Sequence, residues 1–458
     1  MTASFPYDFM HLIYENLVPN LIQHWTGTFK RLDQGSEHYV LTLAQWIAIG
    51  VETAAATRTT PGSFVGTLPN IAQDQSLYKA KAYGFWIQYI VPIVLKGWLS
   101  NKYYQHVLDL RAIFDLCLQF EITMEQIDEL ELRIIRWVAD YKAYYYQYKQ
   151  SRASACPLTI HALLHIPYYI RQVGPVWASW AYVMERFCGR LLLCVKSRIN
   201  PYPCIDNYIL RRAQMQIITA KYNIPTIKIP PPTPIITAAN VEISCQEKVY
   251  DQFPLSILGR PVTKSYPVDG QLMNQLVSYF QFVLSGQKLS LAELANLIRT
   301  DLIVRYGRVR IANGGDSTRT SDSIYNKENA RNSSYVRFNV FPDRNTARRR
   351  ADDDPFMQVN YGELLDIFNV KLKDHGDPDI GRTFLLARVL LCQLLKWKDG
   401  SKEVVEYKEM ESSPRIINLL TIESTIGRVQ RHKTLGIIDR SRNAVRTLFT
   451  DDDNGPVY

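Results

Sequence analysis

Apolar residues recur at helical spacing from Phe9 to about Tyr222, as in the segments HLIYENLVPNLIQHW and ELELRIIRWVADYKAYYYQY. Prolines punctuate this region, which predicts a mostly α-helical part of seven to ten helices. One helix has a clear start, because Thr123 is placed to cap the first turn of EITMEQIDELELRIIRWV. Acidic residues then follow near the positive end of the helix dipole.

The helical pattern breaks at TIKIPPPTPIITAAN, residues 226–240, where consecutive prolines remove backbone donors and favour extended geometry. We interpret residues 226–244 as a proline-rich linker. Apolar stripes return in QLMNQLVSYFQFVL and SLAELANLIRTDLI, which predict a small helical segment over 245–311. Residues 312–334 are polar and carry little apolar material to bury, so we expect a mobile linker there.

After Ser334 the apolar period shortens toward two, in YVRFNVF, FMQVNYGELLDIFNVKL, FLLARVLLCQLL and EVVEYKEM. Residues 335–446 are therefore predicted to form a small antiparallel barrel or sandwich, and the acidic residues 447–458 a frayed tail. The fold class predicted is α+β: a helical part over 1–225 followed, after the linkers, by a β-rich C-terminal domain.

The formal charge of +9 and the pI near 9.0 favour a polyanionic partner, and nucleic acid above all. The seven cysteines are odd in number and irregularly spaced, with no C-x-x-C pair. That spacing argues against a disulfide framework and a zinc knuckle, and favours a reducing compartment. The longest apolar run, residues 85–99, is too short and interrupted to span a bilayer, so we expect a soluble intracellular protein without a membrane partner.

Two acids, far apart in the sequence, stand out as candidate metal ligands. Asp8 and His11 are three residues apart in FPYDFMHL, after a short segment and before a helix. Glu185 lies in a run of helix formers among histidines, tryptophans and basic residues of 151–212. Nucleases and strand-transfer enzymes hold two divalent metals about 3.5 to 4 Å apart with carboxylates, usually at least three of them. We predict that Asp8 and Glu185 share a metal, with His11 as a further ligand or as a partner that orients Asp8.

A simpler interpretation accounts for the same residues and is favoured by composition alone. In it, Asp8 caps the helix that starts at Phe9, and Glu185 pairs with Arg186 or Arg190. His11 is then a histidine satisfied within the structure.

Three blocks of the chain closely resemble the C-terminal half of CACTA-type (En/Spm superfamily) DNA transposases, particularly the fungal members. They are FPYDFMHLIYENLVPNLIQHWTGTFK, IVLKGWLSNKYYQHV and SACPLTIHALLHIPYYIRQVGPVWASWAYVMERFCGRLLLCVKSR. The likeness continues through YVRFNV, YGELLDIF, FLLARVLLCQ and TIGRVQRHKTLGIIDRS, and so covers nearly the whole chain.

This resemblance implies a ribonuclease-H-like catalytic core that uses three acids on Mg²⁺ for DNA cleavage and strand transfer. Asp8 and His11 match the family's D-x-x-H element, and Glu185, in VMERFCG, is our choice for the third acid, with Arg186 in a supporting role. Residues 12 to about 150 correspond to a helical insertion. The family's first acid and the strands that carry it precede the D-x-x-H element, as does its DNA-binding region. We therefore expect the isolated chain to be a truncated core that is catalytically inactive and binds Mg²⁺ weakly.

Two further functions remain open. Basic residues around Glu185 predict DNA binding, with transposon ends as the family's target and the nucleus as its location; they are Arg186, Arg190, Lys196, Arg198, Arg211 and Arg212. The alternative is a protein-interaction module, in which the helical insertion self-associates or the β-rich domain docks a partner.

Overall fold

The computed structural model describes residues 6–32, 37–197, 199–223, 235–236, 242–312, 315–324, 331–342, 355–373, 383–395 and 404–441. An N-terminal helical part is followed by a C-terminal antiparallel sheet, which confirms the α+β prediction at this level. Most of the predicted proline-rich linker, the acidic tail and Arg198 lie outside the described residues.

The described residues up to 223 form ten α-helices: α1 (Val18–Trp25), α2 (Leu43–Thr59), α3 (Ala80–Phe85), α4 (Val91–Val94), α5 (Asn101–Cys117), α6 (Met124–Tyr141), α7 (Leu158–Leu163), α8 (Ile166–Val173), α9 (Tyr182–Leu192) and α10 (Pro201–Tyr222). A π-helical stretch, Met10–Leu17, leads into α1, and a second one, Trp86–Ile90, joins α3 to α4. No strand occurs in this described part, so the ribonuclease-H-like sheet stays a prediction.

The predicted cap of α6 is confirmed. The Thr123 hydroxyl accepts a hydrogen bond from the backbone N–H of Gln126, at 3.3 Å, and the Gln126 side chain accepts one from the backbone N–H of Thr123, at 2.9 Å. This reciprocal pair satisfies two N–H groups that the helix itself leaves without partners. The start of α6 is thus fixed by local sequence.

Aromatic rings fill the core of the helical part, with Trp25, Trp86 and Trp137 almost fully buried. His106 stacks on Trp137, with ring centroids 4.3 Å apart. Its Nε2–H donates to the Trp137 carbonyl at 3.1 Å, and the Trp137 indole N–H donates to the His106 carbonyl at 2.9 Å. These two hydrogen bonds hold α5 against α6, and they use the neutral form of the imidazole.

Stability should fall at mildly acidic pH because of His106. Burial lowers the pKa of its imidazole to about 4, whereas the unfolded chain takes up the proton near pH 6.5. Between these values the unfolded state binds more protons, so the free energy of unfolding decreases as pH falls. We expect protonation linked to His106 to lower the free energy of unfolding by about 2 kcal/mol between pH 7 and pH 5. Urea unfolding of the natural chain and of His106→Gln checks this: a pH dependence that is the same in both would contradict it.

Two short strands, β1 (Ile235–Ile236) and β2 (Glu242–Ile243), pair with each other. The other strands form one antiparallel sheet of twelve: β3 (Lys248–Tyr250), β4 (Phe253–Thr263), β5 (Val304–Ile311), β6 (Ser317–Arg319), β7 (Tyr335–Val340), β8 (Gln358–Lys371), β9 (Thr383–Leu394), β10 (Glu406–Met410), β11 (Arg415–Asn418), β12 (Ile422–Thr425), β13 (Gly427–Arg431) and β14 (Thr434–Ile438). The main path runs β13-β14-β10-β9-β8-β5-β4-β3, with β6 beside β5, β7 between β8 and β12, and β11 beside β9. Helices α11 (Gly270–Val283) and α12 (Leu291–Leu297) lie between β4 and β5 in sequence and share a core with β8 and β9.

The sheet begins earlier than predicted, since β3, β4 and β5 fall within the segment interpreted as helical, 245–311. β4 was not predicted because it contains prolines, and proline inside an apolar run argues against a strand. Pro261 is accommodated at a break in register between β4 and β5. A Cβ atom at Gly307, on β5, would lie 2.2 Å from Cδ of Pro261, so the close approach of the two strands requires glycine there.

Part of the polar segment 312–334 also belongs to the sheet. Ser317–Arg319 pairs with β5, and the Thr318 hydroxyl, which is 1% exposed, hydrogen-bonds the Thr425 hydroxyl at 2.8 Å. These residues are held by hydroxyl and backbone hydrogen bonds, a contribution that a search for apolar content does not detect.

The helical part and the sheet share one hydrophobic core, in which Val404, Val429 and Ile438 pack among the helical residues. Polar contacts cross the same boundary: the Lys96 ammonium lies 2.7 Å from the Glu406 carboxylate. The two parts are therefore joined by packing as well as by the chain. No helix in the described portion is both long and apolar enough to cross a membrane.

Candidate functional site

Asp8 caps the helix that begins at Phe9, as the simpler interpretation predicted. Its Oδ2 accepts a hydrogen bond from the backbone N–H of His11 at 2.9 Å and lies 2.5 Å from Nδ1 of the same residue. The D-x-x-H spacing thus brings the two side chains together within one turn. His11 orients Asp8, which is one of the roles predicted for it.

The other oxygen of Asp8 reaches across the fold to α9. Oδ1 accepts a hydrogen bond from the backbone N–H of Ala181, 2.5 Å away, at the residue that precedes the first turn of α9. Glu185 lies one turn further on, because its backbone N–H donates to the Ala181 carbonyl. Asp8 and Glu185, predicted to act together, are therefore placed at the same end of α9 although 177 positions separate them.

Glu185 itself is exposed. Among the residues that the structure describes, it forms no ion pair with Arg186 or Arg190. The simpler interpretation proposed such a pair. Glu185 instead lines a cleft, which has a volume of about 580 Å³.

We call this space the α3–α9 cleft. Its lining residues come from the π-helical stretch Met10–Leu17, from the segment between α2 and α3, from the start of α3 and from α9. They are Met10, His11, Glu15, Gly66, Thr67, Pro69, Leu77, Lys79, Ala80, Lys81, Ala82, Tyr182 and Glu185. Glu15 lies 3.6 Å from Nε2 of His11, on the other side of the imidazole from Asp8. Two acidic residues, a histidine and two lysines thus line the cleft.

Tyr182 lines the cleft. Burial raises the pKa of its hydroxyl, and the negative charges of Asp8 and Glu15 raise it further. The hydroxyl therefore stays protonated at neutral pH.

Sequence reasoning did not identify Glu15, Lys79, Lys81 or Tyr182. Glu15 carried a usable signal, because it follows His11 by four residues and so shares its helical face. The lysines carried none, since only the packing of α3 against the N-terminal helix brings them to the cleft.

The residues present do not fit the two-metal site that the resemblance implies. Asp8 uses both carboxylate oxygens to accept hydrogen bonds, from His11 and from Ala181. In the described parts of the chain no three His, Cys, Asp or Glu side chains converge closely enough to hold a metal ion. A site of that kind usually needs at least three acids, so we assign no catalytic step to a metal here.

The predicted DNA-binding residues that the structure describes are absent from the lining of the cleft and lie on α9, on α10 and in the segment between them. Neither helix buries any of its side chains. We call five exposed cations of residues 186–212 the α9–α10 basic face; they are Arg186 and Arg190 on α9, Lys196 between the helices, and Arg211 and Arg212 on α10. None of the five forms an ion pair with a described residue, and only Arg212 contacts a ring, that of Phe187 at 5.9 Å.

Comparison of the chain with protein-family models, with curated proteins and with solved structures gave no match.

Proposed function

We propose that this chain is a protein derived from a CACTA-type DNA transposase that binds nucleic acid through the α9–α10 basic face and does not cleave it. The observation that carries the proposal is that five exposed cations, on α9, on α10 and in the segment between them, form no ion pair with a described residue. Cations without an internal salt bridge contribute most to the free energy of binding to phosphate, because no existing ion pair has to be broken first.

The site supports the family part of this proposal. The residues that match the D-x-x-H element and the third acid, Asp8, His11 and Glu185, lie together at one end of α9. In this proposal the chain corresponds to the later part of a ribonuclease-H-like core, and its site of action is nuclear DNA.

The proposal that the chain does not cleave DNA rests on the carboxylates near the cleft. Two carboxylates that match the family lie near the cleft, and one of them is committed to backbone and imidazole hydrogen bonds. Removing one member of a cooperating catalytic set commonly removes most of the activity. We therefore expect no Mg²⁺-dependent nicking of plasmid DNA by the purified chain.

The test is the salt dependence of binding to a 30-base-pair duplex of random sequence, measured by fluorescence anisotropy. Each phosphate contact contributes about −0.9 to the slope of log K against log salt, so five contacts predict a slope near −4.5. A flat response would overturn the binding proposal. Robust nicking that Glu185→Gln abolishes would overturn the proposal that the chain does not cleave.

A further inference from the structure

α10 is a long helix that buries none of its 22 residues within the described chain. Helices in folded proteins are stabilised mainly by burying an apolar face, because the backbone alone supports an isolated helix only weakly. α10 carries large apolar side chains that are exposed along its whole length. A helix of this kind indicates a docking surface.

Six apolar residues of α10 share one side of the helix. At 100° per residue they fall within a sector about 120° wide. We call them the α10 stripe; they are Tyr202, Ile205, Ile209, Ala213, Ile217 and Ala220. Five of the six are exposed, and Tyr202 and Ile217 are 77% and 64% exposed.

The two arginines of α10 lie off the stripe. Arg211 falls on the opposite side of the helix, half a turn from the centre of the stripe. Arg212 falls about a quarter of a turn from that centre, and its guanidinium lies 5.9 Å from the ring centroid of Phe187 on α9. Their charges therefore do not oppose the approach of a second copy to the stripe, and covering the stripe leaves Arg211 accessible.

The spacing of the stripe is the same in both directions along the chain. Its successive members are 3, 4, 4, 4 and 3 residues apart, so the pattern is symmetric about position 211. Two copies of α10 packed antiparallel would therefore place every member opposite another member. The facing pairs are Tyr202 with Ala220, Ile205 with Ile217, and Ile209 with Ala213. Large residues opposite small ones pack closely, and self-complementarity is what a twofold interface requires.

Two polar residues on the same side of α10 follow the same symmetry. Asp206 and Gln216 each lie five positions from position 211. Antiparallel packing would bring the Asp206 carboxylate of one copy to the Gln216 amide of the other, which can donate a hydrogen bond to it. Parallel packing would instead bring the two Asp206 carboxylates together, and like charges at an interface are unfavourable. The pattern therefore favours the antiparallel arrangement.

We infer that two copies of this chain form an antiparallel dimer through the α10 stripe. The stripe exposes on the order of 500 Å² of apolar surface per copy, which with its polar flanks approaches the roughly 800 Å² per partner of a standard interface. An interface at the lower end of that range should be reversible, with a Kd of about 10 μM. The dimer needs no nucleic acid, so it does not depend on the proposed function.

The experiment is sedimentation velocity of the full chain without nucleic acid, over concentrations from about 1 to 100 μM, which bracket the expected Kd. We expect a monomer–dimer equilibrium. Ile209→Glu should weaken the dimer at least about thirtyfold, because it places an unpaired charge at the centre of the interface. The double variant Ile209→Glu/Ala213→Lys should recover dimerisation, since positions 209 and 213 of opposite copies would then carry opposite charges.

Ile135→Glu is the matched control, because Ile135 is 52% exposed on another helix, α6. It should leave the equilibrium unchanged, and circular dichroism should show all variants folded. A strict monomer at the highest concentration, larger aggregates in place of a dimer, or equal weakening by Ile209→Glu and Ile135→Glu would overturn the inference. Recovery on mixing Ile209→Glu with Ile209→Lys, without recovery in the double variant, would show parallel helices and would also overturn it.

Discussion

Replacing the five cations of the α9–α10 basic face together by glutamine is expected to weaken binding to duplex DNA by roughly a hundredfold at physiological salt. The reason is that phosphate contacts supply essentially all of the affinity for DNA without a specific sequence. These side chains are exposed and unpaired, so their loss leaves no buried partner uncompensated and the fold should survive. Fluorescence anisotropy across salt should also show a much shallower slope for the variant.

A control variant with the same change in net charge shows whether binding depends on this local face or only on the overall charge of +9. It replaces by glutamine five exposed cations of the sheet part: Arg260, Lys264, Arg319, Lys408 and Lys433. We expect it to keep most of the affinity. Equal weakening by the two variants would show that only net charge matters. Light scattering on each sample distinguishes DNA binding from self-association through the exposed apolar residues of α10.

Gly436→Val should destabilise the protein by about 3 kcal/mol, because the new side chain would overpack the boundary between the sheet and the helical part. Gly436 is buried on β14, and a Cβ atom there would lie 2.6 Å from Cγ2 of Ile93 on α4. Ile93 is itself 2% exposed, so it has little room to move away. Urea unfolding followed by circular dichroism measures the effect.

A double variant shows whether the effect arises at this contact. Ile93→Ala alone should cost about 3 kcal/mol through the cavity it leaves. Combined with Gly436→Val, the total should fall below the sum of the two by at least about 1 kcal/mol, since the valine fills part of that cavity. Gly286→Val, where the new side chain would meet open space, should change stability little. Strict additivity of the two changes would mean that α4 and β14 are not in contact in solution.

The cap of α6 shows what local sequence can predict. Thr123 and Gln126 satisfy each other's backbone groups within a single turn, so no distant residue takes part. The Asp8–His11 contact is of the same kind, because a spacing of three residues at a helix start places the two side chains together. Hydrophobic period likewise predicted the change from helices to sheet. These features depend on interactions between residues a few positions apart, so they can be predicted from the sequence.

The sheet's true beginning and the lysines of the cleft had no such signal. β4 contains prolines that are tolerated only because Gly307 on a different strand leaves space for one of them. Lys79 and Lys81 line the same cleft as Glu185 only because elements far apart in the sequence pack together.

The sequence by itself therefore determined the helical and β-rich halves, the helix caps, the net charge and the residue types that the candidate site needs. The tertiary structure decided which of those residues meet. Asp8 reaches Ala181, and so the turn that carries Glu185, across 173 positions, through one hydrogen bond that no periodicity encodes. Contacts at that separation depend on how whole elements pack, because packing sums many weak interactions over the entire core.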